Sequence, residues 1–195
     1  TIIIGFTMKG VLISLVLLLL SLPVMGFEQD VQSDDLKTIQ IGAVLPFEGQ
    51  WASLGRDSEV SLNLSVDILN DYLKSDNLHV ELLIEDSSSD PEKALNALKK
   101  LHEKGVMVVI GPSTSEEAAA MVPYANENDM LLIAPSSTAV SLSLDDNLFR
   151  MVPDDKNQAE ALALLMKRQN ITEVLTVYMD DEYGSALNAG ILEKG

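Results

Sequence analysis

Two short runs of hydroxyl residues, Ser113-Thr114-Ser115 and Ser136-Ser137-Thr138, carry the clearest chemistry in this 195-residue sequence. The first follows the apolar run Val106 to Ile110 through Gly111-Pro112 and opens a helical pattern at Ser115. Hydroxyls beside the unpaired N–H groups of a helix start make a corner suited to a carboxylate or small oxyanion. A structural use competes with that one. Thr114 with Glu117 three residues on fits a capping box, in which hydroxyl and carboxylate only close the helix. The second run shifts the balance, because it too follows an apolar run, Met130 to Ile133, through a proline, Pro135. In an open parallel sheet ligands sit at the carboxyl ends of the strands, where neighbouring loops part. Two hydroxyl loops there predict one shared binding notch built from Ser113, Ser115, Ser136, Ser137 and Thr138. Trp51, the only tryptophan, lies in Gly49-Gln-Trp51-Ala-Ser-Leu54-Gly55 and is a candidate lid or wall of that notch.

Catalytic signals are weak by comparison. There is no cysteine, which excludes thiolate nucleophiles, thiolate zinc sites, disulfide scaffolds and lipidated-cysteine anchors. No Gly-x-Gly-x-x-Gly follows a strand, no Gly-rich loop ends in Lys and Ser/Thr, and no Gly-x-Ser-x-Gly elbow occurs. His79 precedes an apolar run and His102 sits in a Lys/Glu-rich helical turn, neither beside a nucleophile. Asp145-Asp146, Asp154-Asp155 and Asp180-Asp181 could bind a metal, yet adjacent acids in polar loops ordinarily make turns and caps. The sequence therefore predicts no enzyme, no cofactor and no metal. Nucleic acid is excluded as a partner because 30 acidic residues face 13 basic ones, for a net charge of −17.

The elements that must position these residues read as alternating strands and helices. Apolar runs at Ile39–Leu45, Val80–Ile84, Val106–Ile110, Met130–Ile133 and Val174–Met179 predict strands. Helical patterns span Arg56–Tyr72, Pro91–Lys104, Ser115–Asn128, Asp155–Gln169 and Gly184–Glu193. Asp90 before Pro91 gives an N-cap ahead of a proline at the first helical position, and Gly105 gives a stop. Val60 to Ile68 alternates strictly, as a strand would, but its place between two strands requires a crossover helix. Such a helix, with Val60, Leu64 and Ile68 on one face and Leu62, Val66 and Leu69 on another, is expected to be covered on both sides. The order predicts an α/β fold, a Rossmann-like parallel sheet lobe flanked by helices, over residues 39–152. A hinge is expected around Met151 to Asp155, with residues 153–195 as the truncated beginning of a second similar lobe.

Residues 1–26 read as a signal peptide, with Lys9 as the positive n-region, the Leu-rich run Val11 to Leu22 as the h-region and Val24 and Gly26 as the small cleavage residues, the alternative being an uncleaved membrane anchor lengthened by Ile2 to Ile4. Residues 1–7 read as upstream read-through before Met8, and 27–38 as a polar lead-in. Export to a periplasm or an extracellular cell surface follows. An acidic mature chain without disulfides suits that setting in bacteria or archaea.

With these pieces in order, the sequence resembles the class I periplasmic binding proteins of the leucine/isoleucine/valine-binding type. The resemblance rests on Ile41-Gly42, Pro46-Phe-Glu-Gly49, Gly55-Arg56, Asp90-Pro91, Ile110-Gly111-Pro112-Ser113, Ala134-Pro135-Ser136-Ser137-Thr138 and Asp181-Glu-Tyr183-Gly184. It implies two Rossmann-like lobes that close on a small ligand, an amino acid or related amide, and deliver it to an ABC transporter permease. By position it implies that Ser115 and Thr138 hold the ligand's α-carboxylate, that Ser136 offers its backbone carbonyl to the ammonium, and that Tyr183 closes from the second lobe. Leu54 stands where that family often has an aromatic, a place Trp51 is a candidate to fill, and the acid expected to meet the ammonium falls beyond Gly195. The competing readings are the ligand-sensing ectodomain of a receptor and, more remotely, a metal-dependent hydrolase using Asp180 and Asp181.

Overall fold

The computed structural model describes residues 36–194; the signal peptide, the read-through segment and most of the polar lead-in expected from the sequence lie outside the described residues. Five strands form one sheet in the order β2-β1-β3-β4-β5, every neighbouring pair parallel. They are β1 (Lys37–Leu45), β2 (Leu78–Asp86), β3 (Val108–Ile110), β4 (Leu131–Ala134) and β5 (Leu148–Arg150). Between and after them run α1 (Ala52–Leu73), α2 (Pro91–Glu103), α3 (Ser115–Glu127), α4 (Lys156–Arg168) and α5 (Glu182–Lys194). This is the expected parallel sheet with crossover helices. Register aligns the strand ends: Leu45 pairs with Asp86, Ala43 with Ile110, Ile110 with Ile133 and Ala134 with Arg150. The loops that leave those ends therefore gather along one edge. The chain leaves β1 toward β2 on one side and β3 on the other, which makes the β1/β3 boundary the topological switch point of the sheet.

Packing explains why these segments hold. α2 and α3 lie against each other over a core of Val44, Leu98, Leu101, Val106, Val109, Met121, Met130 and Leu132, all fully buried. Asp90 caps α2 by accepting the Lys93 N–H at 2.9 Å, with Pro91 at the first helical position as its sequence predicts. Close approach is enforced by glycine at one joint in particular. A Cβ on Gly55 would lie 1.8 Å from the Pro46 carbonyl oxygen, so only glycine lets α1 start directly beneath the end of β1. Residues Leu36–Gly195 cluster as one compact unit. Among the described residues no helix is long and apolar enough to cross a membrane.

Three expectations need correction. The alternating segment is a helix, α1, but it is not covered on both sides. Leu62 and Val66 turn toward β1 and β2, while Val60, Leu64 and Ile68 are 68%, 60% and 63% exposed. α1 packs on a single layer, and its other face has no neighbour among the described residues. Asn70 fixes it there: its amide accepts from the Val80 N–H at 2.7 Å and donates to the Val80 carbonyl at 2.9 Å, closing part of the open edge of β2. Second, Leu148–Arg150 pairs with β4 as a fifth strand just before the expected hinge, where the sequence pattern predicts no strand. Its three residues are too few to show a period, and the pairing comes from β4 and from Arg150, whose guanidinium donates to the Ala139 carbonyl at 2.9 Å and to the Ser143 hydroxyl. Third, Val174–Met179 is irregular rather than a strand. A strand needs a bonded neighbour, and this segment has none among the described residues; Leu175 and Val177 are each 90% exposed.

Candidate functional site

The two hydroxyl loops leave β3 and β4, adjacent strands, and are laced together. Ser136 Oγ donates to the Ser113 carbonyl at 2.6 Å, and Ser137 Oγ donates to the Thr114 carbonyl at 3.0 Å. Ser115 Oγ returns the contact by accepting the N–H groups of Thr138 at 3.2 Å and Ala139 at 3.1 Å. The floor of the edge is thus a fixed lattice rather than two mobile loops. It continues toward the predicted hinge, where the Asp155 N–H donates to the Thr138 carbonyl at 3.0 Å and the Met151 N–H to the Ala134 carbonyl at 3.0 Å.

The capping box is present as well. Thr114 Oγ1 accepts the Glu117 N–H at 3.2 Å, and Glu117 Oε2 accepts the Thr114 N–H at 3.2 Å, with Glu117 almost wholly buried. Capping uses only part of the corner: Thr114 satisfies the Glu117 N–H, while the earlier first-turn N–H groups of Ser115 and Glu116 lie outside the reach of any intrahelical carbonyl, an arrangement that can receive an anion.

A cleft of about 360 Å³ opens over this corner, toward the small end of the usual range for ligand pockets. Ser113, Ser115, Ser136, Thr138, Tyr183 and Trp51 line it, so all but one of the residues expected from the sequence converge on one space. Ser137 is the correction. It is fully buried, and its hydroxyl is turned to the Thr114 carbonyl instead of the cleft, so it braces the loop and is not available to a ligand. Ser113 and Ser115 are themselves nearly buried, with 5% and 3% exposure, and meet the cleft only at their surfaces.

The opposite rim is the loop after β1. Asp86, at the end of β2, accepts the N–H groups of Phe47 at 2.8 Å and Ser88 at 2.7 Å and the Ser88 hydroxyl at 2.8 Å. Burial acts to raise the Asp86 carboxyl, but these hydrogen bonds outweigh it and hold the group below the usual carboxylate range. Ser89 Oγ then donates to the Glu48 carbonyl at 2.7 Å and accepts the Trp51 N–H at 3.2 Å, which fixes the backbone that carries the indole. Tyr183 comes from the first turn of α5. Asp181 Oδ1 caps that helix by accepting the Gly184 N–H at 2.7 Å.

Sequence reasoning did not assign Gln50, Leu54, Ser89, Thr114, Glu116 or Asp181 to the lining as ligand-binding residues. Glu116 had a readable signal, its place directly after Ser115 in the first turn of α3. Desolvation, then the carboxylates of Asp181, Glu117, Asp90 and Glu182, hold its carboxyl above the usual range. His102 makes a structural contact, its Nδ1 2.8 Å from the Tyr124 hydroxyl. Asp154 accepts the Ser143 hydroxyl and the Lys156 N–H, and Asp146 the Leu148 N–H, so these acids serve turns and a helix start.

A parallel α/β sheet with a polar cleft at its switch point, beside a helix N-terminus, places the chain in the class of open doubly wound α/β folds. The profile of the periplasmic binding protein family matches residues 38–194, and the chain belongs to that family. Glutamate receptor 3.7 of Arabidopsis thaliana is 32% identical over 163 residues, covering 80% of this chain and 17% of the receptor. The Leu/Ile/Val-binding protein homolog 3 of Brucella melitensis is 25% identical over 165 residues, covering 83% of this chain and 44% of its own. The crystal structure of a leucine-binding protein from Thermotoga maritima superposes with a TM-score of 0.70 at 22% identity, over 80% of this chain and 45% of that one, a likeness of fold. The chain thus spans less than half the length of these relatives.

Proposed function

We propose that this chain contributes the first lobe, and the beginning of the second, of an extracytoplasmic solute-binding protein that captures an amino-acid-like solute and presents it to an ABC transporter permease. The observation that carries this reading is the convergence of Ser115, Thr138 and the first turn of α3 on one cleft at the β1/β3 switch point. There the ligand's carboxylate is bound by the Thr138 hydroxyl and the open N–H groups of α3, with Ser115 holding the Thr138 backbone in place. The Ser136 carbonyl meets the ammonium, and Tyr183 and Trp51 wall the remainder. Binding works by lobe closure about Met151–Asp155, with residues 39–152 and 153–195 on either side, and involves no covalent step. The Asp155–Thr138 hydrogen bond ties that hinge to the binding loop. Export to a periplasm or cell surface is supported by the family and by the signal-like residues 8–26.

Titration calorimetry of the full-length protein against a panel of amino acids, amides and small carboxylates tests this. Binding at micromolar dissociation constants or tighter is expected for at least one of them, and silence across the panel overturns the proposal. A second reading is favoured by the Arabidopsis relative: the same lobes serve as the sensing ectodomain of a receptor. A membrane-spanning segment encoded downstream of residue 195 supports the sensor, and permease genes alongside a chain without one support the importer.

A further inference from the structure

The cleft holds a charge pattern that the hydroxyl corner does not explain. Among the described residues it is lined by two carboxylates, Glu116 and Asp181, and two aromatic side chains, Trp51 and Tyr183, and by no lysine, arginine or histidine. The corner itself is neutral: hydroxyls and N–H groups receive a ligand carboxylate without bringing a positive side chain to it. The rest of the polar wall is then negative, and aromatic faces add a second, independent attraction for a cation.

Each carboxylate has a different degree of freedom. Asp181 is half committed, one oxygen closing α5 on the Gly184 N–H. Glu116, exposed at the rim, accepts no side-chain hydrogen bond from any described residue, and the charged groups that act on it are Asp181, Glu117, Asp90 and Glu182, all acidic. A carboxylate set among carboxylates beside a binding corner is an interaction waiting for a positive partner.

We propose that the ligand is an α-amino acid with a second positive group on its side chain, an amine or a guanidinium, and that Glu116, assisted by Asp181, selects it. The site stands on the cleft and the hydroxyl corner; the acidic pair sets which ligand it prefers. The inference rests on the amino-acid reading given above, and the test separates the two.

Calorimetry of the full-length protein at pH 7.5 is run with lysine, arginine, leucine and glutamate, and repeated with Glu116→Gln. The expected result is that lysine or arginine binds about tenfold or more tightly than leucine, glutamate gives no measurable heat, and the variant loses about tenfold for the cationic ligand, so that its preference over leucine collapses. Leucine binding as tightly as lysine and arginine overturns the inference while the solute-binding reading stands. A cationic preference that survives Glu116→Gln overturns the role of Glu116, and no binding by any amino acid removes both. The wild-type comparison alone decides the ligand class should the variant fold poorly.

Discussion

Ser115 and Thr138 face the same cleft but are used differently. Ser115 Oγ accepts two backbone N–H groups, so Ser115→Ala strands one buried donor, on Ala139, and one half-buried donor, on Thr138, at a cost of about 2 kcal/mol. A chain of this size should lose roughly 4–8 °C in Tm in thermal scans, with affinity falling alongside. The Thr138 hydroxyl makes no hydrogen bond within the described residues and partly faces the cleft. Thr138→Val should therefore leave Tm within about 2 °C and still weaken ligand binding by about fivefold or more; equal affinity in that variant would remove the hydroxyl from the site. Glu116 gives a signed test. Its carboxyl is held above the ordinary range, so the ionised form is disfavoured by folding, a cost present above the raised folded value and absent below the unfolded value near 4.5. Glu116→Gln should raise the Tm of the ligand-free protein at pH 7 and not at pH 4, and a fall at pH 7 would contradict the electrostatic account. At this scale the sequence disclosed residue types at strand ends, and Ser113, Ser115, Ser136, Thr138, Trp51 and Tyr183 do line one cleft. It could not disclose which way Ser137 turns, because that depends on the Thr114 carbonyl across the loop. Nor did it disclose that Asp181, distant in sequence, comes to face Glu116.

Elements were legible wherever local pattern and tertiary environment agreed. α2 carried a cap, a first-position proline and a basic last turn, and it begins and ends within a residue of its expected bounds. α1 was legible only through topology, since its alternating residues favour a strand and the crossover requirement prevailed. Its exposed stripe was illegible, because which face of a helix is covered depends on how many layers stack on it. That contrast yields a prediction. Leu64→Ser should change stability by no more than about 0.5 kcal/mol, as befits an exposed site, whereas Leu98→Ala in the α2 core should cost about 2–5 kcal/mol by chemical denaturation. Equal costs would mean that α1 is covered in solution. A pH-dependent increment belongs to the junction of β2 with α2. Lys104 donates to Glu85 at 2.7 Å, with Lys100 at 3.6 Å, and together they hold the Glu85 carboxyl low against the opposing effect of burial. The stabilisation is present above the unfolded value near 4.5 and is lost as pH falls through the lowered folded value. With both lysines at least half exposed, it amounts to no more than about 1 kcal/mol. Glu85→Gln should therefore reduce stability slightly at pH 7 and converge with wild type at pH 3.

At the scale of the whole molecule, one segment is out of keeping with the rest. β1 to β5 pair with one another in one sheet, yet Val174–Met179, apolar and β-branched enough to read as a strand, has no bonded neighbour among the described residues and leaves Leu175 and Val177 almost fully exposed. α4 and α5 pack against each other, and the segment that joins them pairs with nothing among the described residues. The sequence announced this strand because periodicity is local. Strand formation is not local, for every N–H and C=O in it must find a partner on another segment. The match covers 44% and 45% of two relatives, whose further length is where a partner for such a strand would lie in them. Hydrogen exchange makes the point testable. In the 195-residue chain, the amides of Val174 to Met179 should exchange at the rate of an unstructured peptide, while Val44, Val109 and Leu132 stay protected. In a chain extended past Gly195 by the second lobe proposed above, those amides should slow by about a hundredfold or more, because opening them would then mean breaking a sheet. If the proposed second lobe closes on the cleft, ligand affinity should rise in step, because that closure would bury what the cleft now leaves open to water. Protection of Val174–Met179 already present in the short chain, or absent from the longer one, would show that the second lobe is not built around this strand.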